Sequence, residues 1–183
     1  MAYSDRELLA RLIQCEAGGE GENGMKAVAG VVMNRVHARG GEYARIGRGS
    51  IRNIIFQPYQ FVCASETEGG EYNPQNIYNM HPEAIHYQIA DWAIAGNRLP
   101  DVGESLWFYN PFSAQCRSQF PSGVGYWQTR IGDHCFYNPT DKYKLCNTFG
   151  EKLKGKIIVN PPIRIEADFF DQDPPKVPFT YAI

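Results

Sequence analysis

Apolar residues recur at helical spacing near the start of the chain. Leu8, Leu9, Leu12, Ile13 and Cys15 mark a helix with one buried face. Ser4 or Asp5 caps its start, with Glu7 three residues after Ser4 as in a capping box. Gly18 and Gly19 stop it, since adjacent glycines accept left-handed backbone angles. A connector bearing Glu20 and Glu22 follows. A second helix begins at Asn23 or Gly24 and runs through Ala27, Val28, Val31, Val32, Asn34, Arg35 and Val36. Residues 38–50, glycine-rich and basic, read as a loop. Ser50 then caps a short helix from Ile51 to Phe56, which Pro58 ends. The polar stretch from Glu66 to Pro82 reads as a long loop, of the kind that serves as a lid or a mobile segment. A third main helix runs from Pro82, in its first turn, to Ala95, with Ala84, Ile85, Ile89, Trp92 and Ala93 inward and Gly96-Asn97 closing it.

The last third changes period. Leu106-Trp107-Phe108-Tyr109 is a short aromatic strand ended by Asn110-Pro111, Trp127 to Arg130 is a second, and His134 to Tyr137 a third. Ile131-Gly132-Asp133 turns between the last two. A small antiparallel sheet beside a helical core makes an α+β layout. Residues 1–149 form the expected domain. Residues 150–183, with Pro174-Pro175 and Pro178, form a C-terminal extension that adds at most an edge strand.

Composition narrows the function. A chain of 183 residues, 43% hydrophobic and 21% charged, supports one domain with a sizeable core, or one plus an appendage. A net charge of −2 gives no electrostatic footprint for nucleic acid. No apolar run is long enough for a membrane span, and the N-terminus lacks the pattern of a secretory signal, so synthesis in the cytoplasm is the expectation. Aromatic residues make up 13% of the chain and either fill the core or line a carbohydrate cleft. Cys15, Cys63, Cys116, Cys135 and Cys146 contain no C-x-x-C pair. Neither those cysteines nor His37, His81, His86 and His134 fall at chelating spacing, so no metal and no cofactor is expected. Free buried thiols are the expectation, with a disulfide among Cys116, Cys135 and Cys146 as the alternative in an oxidised setting.

Glu16 is the candidate acid. It lies in the last turn of the first helix beside apolar residues, where the helix dipole and burial both disfavour a negative charge. A carboxyl held protonated near neutral pH is what a general acid needs. The plain alternative is a surface glutamate at a fraying helix end. Arg35 is read as pairing with an acid of the connector or as a solvated helix-end cation. Asp133 reads as a turn residue, and Glu20 and Glu22 as solvated loop charges.

Four blocks then carry a resemblance: E-A-G-G-E-G-E-N-G-M-K-A-V-A-G-V-V-M-N-R-V from Glu16, I-R-N-I-I-F-Q-P-Y-Q-F at 51–61, L-W-F-Y-N-P at 106–111 and R-I-G-D-H-C-F-Y-N-P-T at 130–140. In this order they resemble the spore cortex-lytic cell wall hydrolases, the SleB/CwlJ family, and the short form is most similar to the branch without a wall-binding module. The resemblance implies a lysozyme- or lytic-transglycosylase-like helical core and peptidoglycan glycan strands as substrate. The bond cut is that between N-acetylmuramic acid and N-acetylglucosamine, with Glu16 as the catalytic acid. It implies a cleft formed by Gln57, Gln60 and Phe61, to which Tyr109, Asn110 and Trp127 are added as candidates. The roles of Gln115, Trp127 and Gln128 are the least constrained, because the stretch after Y-N-P departs from the longer family members. A hydrolase needs a second carboxylate and none stands out, which favours a transglycosylase route in spore germination or wall turnover. The implied location is the boundary of spore coat and cortex, with spore-coat or germination proteins as partners. The rival readings are an N-acetylmuramoyl amidase, which would need zinc, and a non-catalytic wall- or coat-binding protein. A Cys135–His134 dyad is disfavoured because adjacent strand residues face opposite sides.

Overall fold

The computed structural model describes residues 3–141, 143 and 144. Five α-helices and five strands follow in the order α1 (Asp5–Ala17), α2 (Gly21–Val36), α3 (Gly41–Gly47), α4 (Ile51–Ile55), β1 (Thr67–Glu68), β2 (Glu71–Tyr72), α5 (Ala84–Ile94), β3 (Trp107–Tyr109), β4 (Gly125–Ile131) and β5 (His134–Pro139) among the described residues. The expected 150–183 extension lies outside the described residues, as does Cys146.

The α1 stripe is where the pattern places it. Leu8, Leu9, Leu12 and Ile13 are fully buried and meet Val28, Val31 and Val32 of α2, Ile54 and Ile55 of α4 and Ile89 of α5 in one core. Burying each such side chain is worth about 1.5–3 kcal/mol, so this seam dominates the helical layer. The Ser4 hydroxyl accepts from the Glu7 N–H at 3.2 Å, and Ser50 accepts from Asn53 N–H at 3.3 Å.

Helix α2 departs from expectation by starting earlier. Gly18 stays right-handed, and its N–H bonds to Gln14 O at 3.0 Å; the left-handed residue is Gly21, with φ of 71°. The chain reverses there, so Glu22 and Asn23 fall inside the first turn of α2. The expected 38–50 loop contains α3, because burial of Tyr43 outweighs the poor helix propensity of its glycines. Helix α5 begins after Glu83 rather than at Pro82, with Glu83 and His86 in a reciprocal capping box, and Ala84 faces solvent rather than the core.

The long polar stretch is built rather than loose. It forms the β1–β2 hairpin, whose Gly69-Gly70 turn has φ of 60° and 88°, the geometry that only glycine adopts freely. Asn73 and Asn76 then close Asx turns onto the N–H groups of Gln75 and Tyr78, each at 2.9 Å. The buried Arg11 of α1 donates to the carbonyls of Ile77, Tyr78 and Met80, so the end of this segment is tied to the helical layer.

The C-terminal sheet has the order β3-β5-β4, all antiparallel, with Trp107 opposite Tyr137, Phe108 opposite Phe136 and Tyr109 opposite Cys135. Phe120 packs between Trp107 and Tyr137, at ring-centroid distances of 5.5 and 5.7 Å. Cys116 and Cys135 form a disulfide, with Cα atoms 5.8 Å apart. That corrects the expectation of free thiols for this pair. The antiparallel register brings the segment after β3 back beside β5, a proximity that spacing in sequence does not reveal. With Cys135 so engaged, it is not available as a nucleophile.

Candidate functional site

Glu16 lies in the last turn of α1, and the 3-10 turn Val62–Ala64 brings Cys63 beside it. Glu16 is half-buried, with its carboxylate close to the thiols of Cys15 and Cys63. Desolvation pushes its pKa above the ordinary glutamate range, against a hydrogen bond from the Cys63 thiol and the charge of Arg35, which pull it down. The net direction is upward, the direction a general acid requires. Cys63 is itself pushed up, by a hydrogen bond with Cys15, by burial and by Glu16, so it stays a neutral thiol donor. Cys15 also donates its thiol proton to Gln75 O, at 3.3 Å. The sulfurs of Cys15 and Cys63 and the Glu16 carboxylate lie within 4.8 Å of one another and are able in type to hold a metal ion. Cys15 and Cys63 are distant in sequence, which is why spacing alone pointed to no such group.

Arg35 is the residue that sequence reasoning placed wrongly. It is only 4% exposed, neither solvated nor paired to a connector acid. Its Nε donates to Leu106 O at 2.7 Å, fixing α2 to the segment entering β3. Its guanidinium sits over the Tyr43 ring at 4.9 Å and the Phe61 ring at 5.1 Å, while Nη1 has no hydrogen-bond partner among the described residues. A fixed cation near a buried acid moderates that acid's pKa and offers a positive charge to a developing anion.

The predicted cleft residues divide. Phe61 is buried against Arg35 and tilted against Phe108 at 6.5 Å, so it is packed under the guanidinium rather than being an exposed platform. Gln60 is half-buried and accepts from the Tyr43 hydroxyl at 3.1 Å, which joins it to the same cluster. Gln57 is 3% exposed and donates to Glu42, with its own Oε1 unpartnered among the described residues. Gln57 also borders a basic cleft of about 670 Å³ with Arg45, Arg48 and Arg52. Asn110 accepts from Phe112 N–H at 2.7 Å and borders a smaller cleft of about 360 Å³ with Phe112, Ser113, Arg130 and Asp133. Tyr109 stacks on Tyr137 at 5.6 Å, and Trp127 on β4 is 48% exposed. Gln128 is committed to Asn138 and to Asp101 O.

Glu20 is also not a solvated loop charge. Its side chain is 17% exposed, and its Oε2 accepts from Asp133 N–H at 2.7 Å. Its Oε1 stands 3.8 Å from His134 Nδ1. Burial holds the His134 pKa below the ordinary value, against the pull of Glu20 and Asp133, so the imidazole is neutral near pH 7. Phe108 meets His134 edge-on at 5.3 Å. Thus the β4–β5 turn is clamped to the start of α2, and Asp133 itself is an exposed turn residue as expected.

A family model described as Cell Wall Hydrolase matches residues 19–137, from just past Glu16 into β5. The chain belongs to the cell wall hydrolase family. Within this family it is 32% identical to the cell wall hydrolase CwlJ of Bacillus subtilis over 148 residues, which is 80% of this chain and 94% of that protein. It is 31% identical to CwlJ of Halalkalibacterium halodurans over 137 residues, 74% of this chain and 86% of that one. Among solved structures, the catalytic domain of the germination-specific lytic transglycosylase SleB from Bacillus anthracis superposes with a TM-score of 0.54 at 26% identity. The match covers 75% of this chain and 98% of that domain. The SleB catalytic domain from Bacillus cereus gives a TM-score of 0.55, also at 26% identity, with 75% and 93% covered. The family's α+β catalytic fold is therefore the fold of this chain.

Proposed function

We propose that this chain cleaves the glycan strands of peptidoglycan, the spore cortex above all, as a lytic transglycosylase with Glu16 as its single catalytic acid. The observation that carries the reading is the half-buried Glu16 carboxyl at the end of α1, raised by desolvation, with the Cys63 thiol against it and the buried cation Arg35 nearby. Kinship with CwlJ proteins, and with a SleB domain named a lytic transglycosylase, supports the substrate class.

In this mechanism the protonated Glu16 gives its proton to the glycosidic oxygen between N-acetylmuramic acid and N-acetylglucosamine as the C1–O bond breaks. The resulting carboxylate is stabilised by Cys63 and Arg35. It then takes the proton of the muramic acid 6-hydroxyl as that oxygen closes on C1, giving a 1,6-anhydro end and restoring Glu16. No water nucleophile enters, so no second carboxylate is required. Glu20, the nearest alternative in sequence, is already engaged by Asp133 N–H. Gln60 and Trp127 supply an amide and an aromatic face suited to acetamido groups and sugar rings. Germination or coat proteins are the corresponding partners, at the coat–cortex boundary. No helix among the described residues is long and apolar enough to cross a membrane.

The test is solubilisation of purified cortex peptidoglycan by the wild type beside Glu16→Gln and Glu20→Gln. Loss of activity in the first alone, with unchanged circular dichroism, is expected. Activity retained by Glu16→Gln would remove Glu16 from its role.

A further inference from the structure

Three ligand-type side chains converge at the end of α1 although their positions in sequence give no chelating motif. The Sγ atoms of Cys15 and Cys63 and a carboxylate oxygen of Glu16 all lie within 4.8 Å of one another. In a tetrahedral zinc site, with Zn–S of about 2.3 Å and Zn–O of about 2.1 Å, neighbouring ligand atoms stand about 3.6–3.8 Å apart. Contraction by about 1 Å, within the reach of small side-chain rotations, therefore brings all three onto one ion. Cys15 and Glu16 are adjacent on α1, and Cys63, from the Val62–Ala64 turn, completes the group.

Charge and access agree with an ion at this position. Two thiolates and a carboxylate carry three negative charges, a divalent cation leaves one, and Arg35 lies close enough to influence Glu16. Arg35 is buried, so its charge is little screened by solvent. Cys15 is half-buried and gives an entry from the surface, while Cys63 is buried. Two sulfurs select thiophilic ions such as Zn2+, Cd2+ or Co2+ over Ca2+ and Mg2+.

We propose that Cys15, Glu16 and Cys63 bind one thiophilic divalent cation, and that the bound ion withdraws the Glu16 carboxyl from proton transfer. The ion enters as each protonated ligand releases its proton to water, so no electrons change hands. The ion is then an inhibitor that competes for the acid itself. This second half rests on Glu16 being the acid of the proposed transglycosylase, whereas the binding half does not.

The experiment titrates the full-length protein, with its disulfide intact, with Co2+ and then Zn2+. One equivalent of Co2+ is expected to give a thiolate charge-transfer band and the visible bands of a tetrahedral ion, both erased by one equivalent of Zn2+. Cys15→Ser and Cys63→Ser should each abolish the bands, and Cys146→Ser should keep them. Cys15 is half-buried, so its variant tests the site even if Cys63→Ser fails to fold, which a thermal melt reveals. Absence of a thiolate band, or its survival in Cys15→Ser, overturns the site. Stoichiometric Zn2+ should abolish peptidoglycan solubilisation, reversibly on chelation; binding without inhibition overturns the inhibitory role. Cobalt binding by a protein whose Glu16→Gln variant remains active would sink the assignment of the acid while leaving the site in place.

Discussion

Gly132 in the β4–β5 turn tests whether Glu20 is a clamp or a second catalytic acid. Its φ is 58°, and a Cβ added there would stand 2.0 Å from Glu20 Oε2. Gly132→Ala therefore meets two obstacles. A left-handed conformation costs an L-residue about 1–2 kcal/mol. The collision also drives the Glu20 carboxylate from Asp133 N–H, a charge-assisted bond worth about 1.5–3 kcal/mol. Together the single substitution should cost about 2.5–5 kcal/mol. Glu20→Ala alone should cost about the bond, 1.5–3 kcal/mol. The double variant should lose little more than Glu20→Ala plus the backbone strain, because the carboxylate that collides is gone. The coupling is thus about 1.5–3 kcal/mol, in the direction of rescue. Urea denaturation of the four proteins measures it. Additive losses, with no rescue, would refute the clamp and return Glu20 to the list of free carboxylates near Glu16.

Burial raises the Glu16 pKa, so the protonated form is the one the fold favours. Its contribution is fully present below the ordinary glutamate pKa and is lost as pH rises through the folded value. Glu16→Gln should remove that decline and make the protein more stable than wild type at neutral pH, as thermal melts at several pH values will read. Glu7 behaves oppositely: hydrogen bonds from Tyr87 and Arg11 lower its pKa against desolvation. That contribution is present above the ordinary glutamate pKa and fades as pH falls through the folded value, so Glu7→Gln should flatten the acid side of the stability curve. Replacing Cys116 and Cys135 by Ser frees a loop with a sequence separation of 19, and should cost about 3 kcal/mol in denaturant midpoint analysis. Leu12→Ala, at a fully buried position of the α1 seam, should cost about 2–5 kcal/mol by the same assay.

Much of the scaffold was legible because single elements carried their own signals. The α1 stripe, the Ser4 and Ser50 caps and the three sheet strands are local patterns, and each is present at nearly the expected bounds. Helix α3 was hidden because its glycines read as a loop while Tyr43 makes its helix worthwhile through tertiary burial. The start of α2 was displaced because the choice among Gly18, Gly19 and Gly21 for the reversal depends on packing. Around Glu16, the helix-end position and apolar neighbours were visible, but its partners were not. Cys63 and Arg35 reach it through the third dimension, and a buried arginine at a helix C-terminus looks in sequence like a solvated one. Glu20 was misplaced for the same reason, since its acceptor role depends on a turn more than a hundred residues away. Gln57, Gln60, Phe61, Tyr109, Asn110 and Trp127 were chosen as polar or aromatic residues of the matching blocks. The structure gathers Gln60 and Phe61 around Arg35, sets the buried Gln57 at the edge of the basic cleft and Asn110 at the smaller one, and leaves Trp127 exposed on β4.

The measurement that bears most directly on the mechanism is mass spectrometry of the glycan ends released from cortex peptidoglycan by the wild type and by Glu16→Gln. A single-acid transglycosylase produces 1,6-anhydro-muramic ends with the wild type and none with the variant. Reducing muramic ends would contradict the account by requiring a water nucleophile and a second carboxylate, and anhydro ends from Glu16→Gln would contradict the placement of the acid.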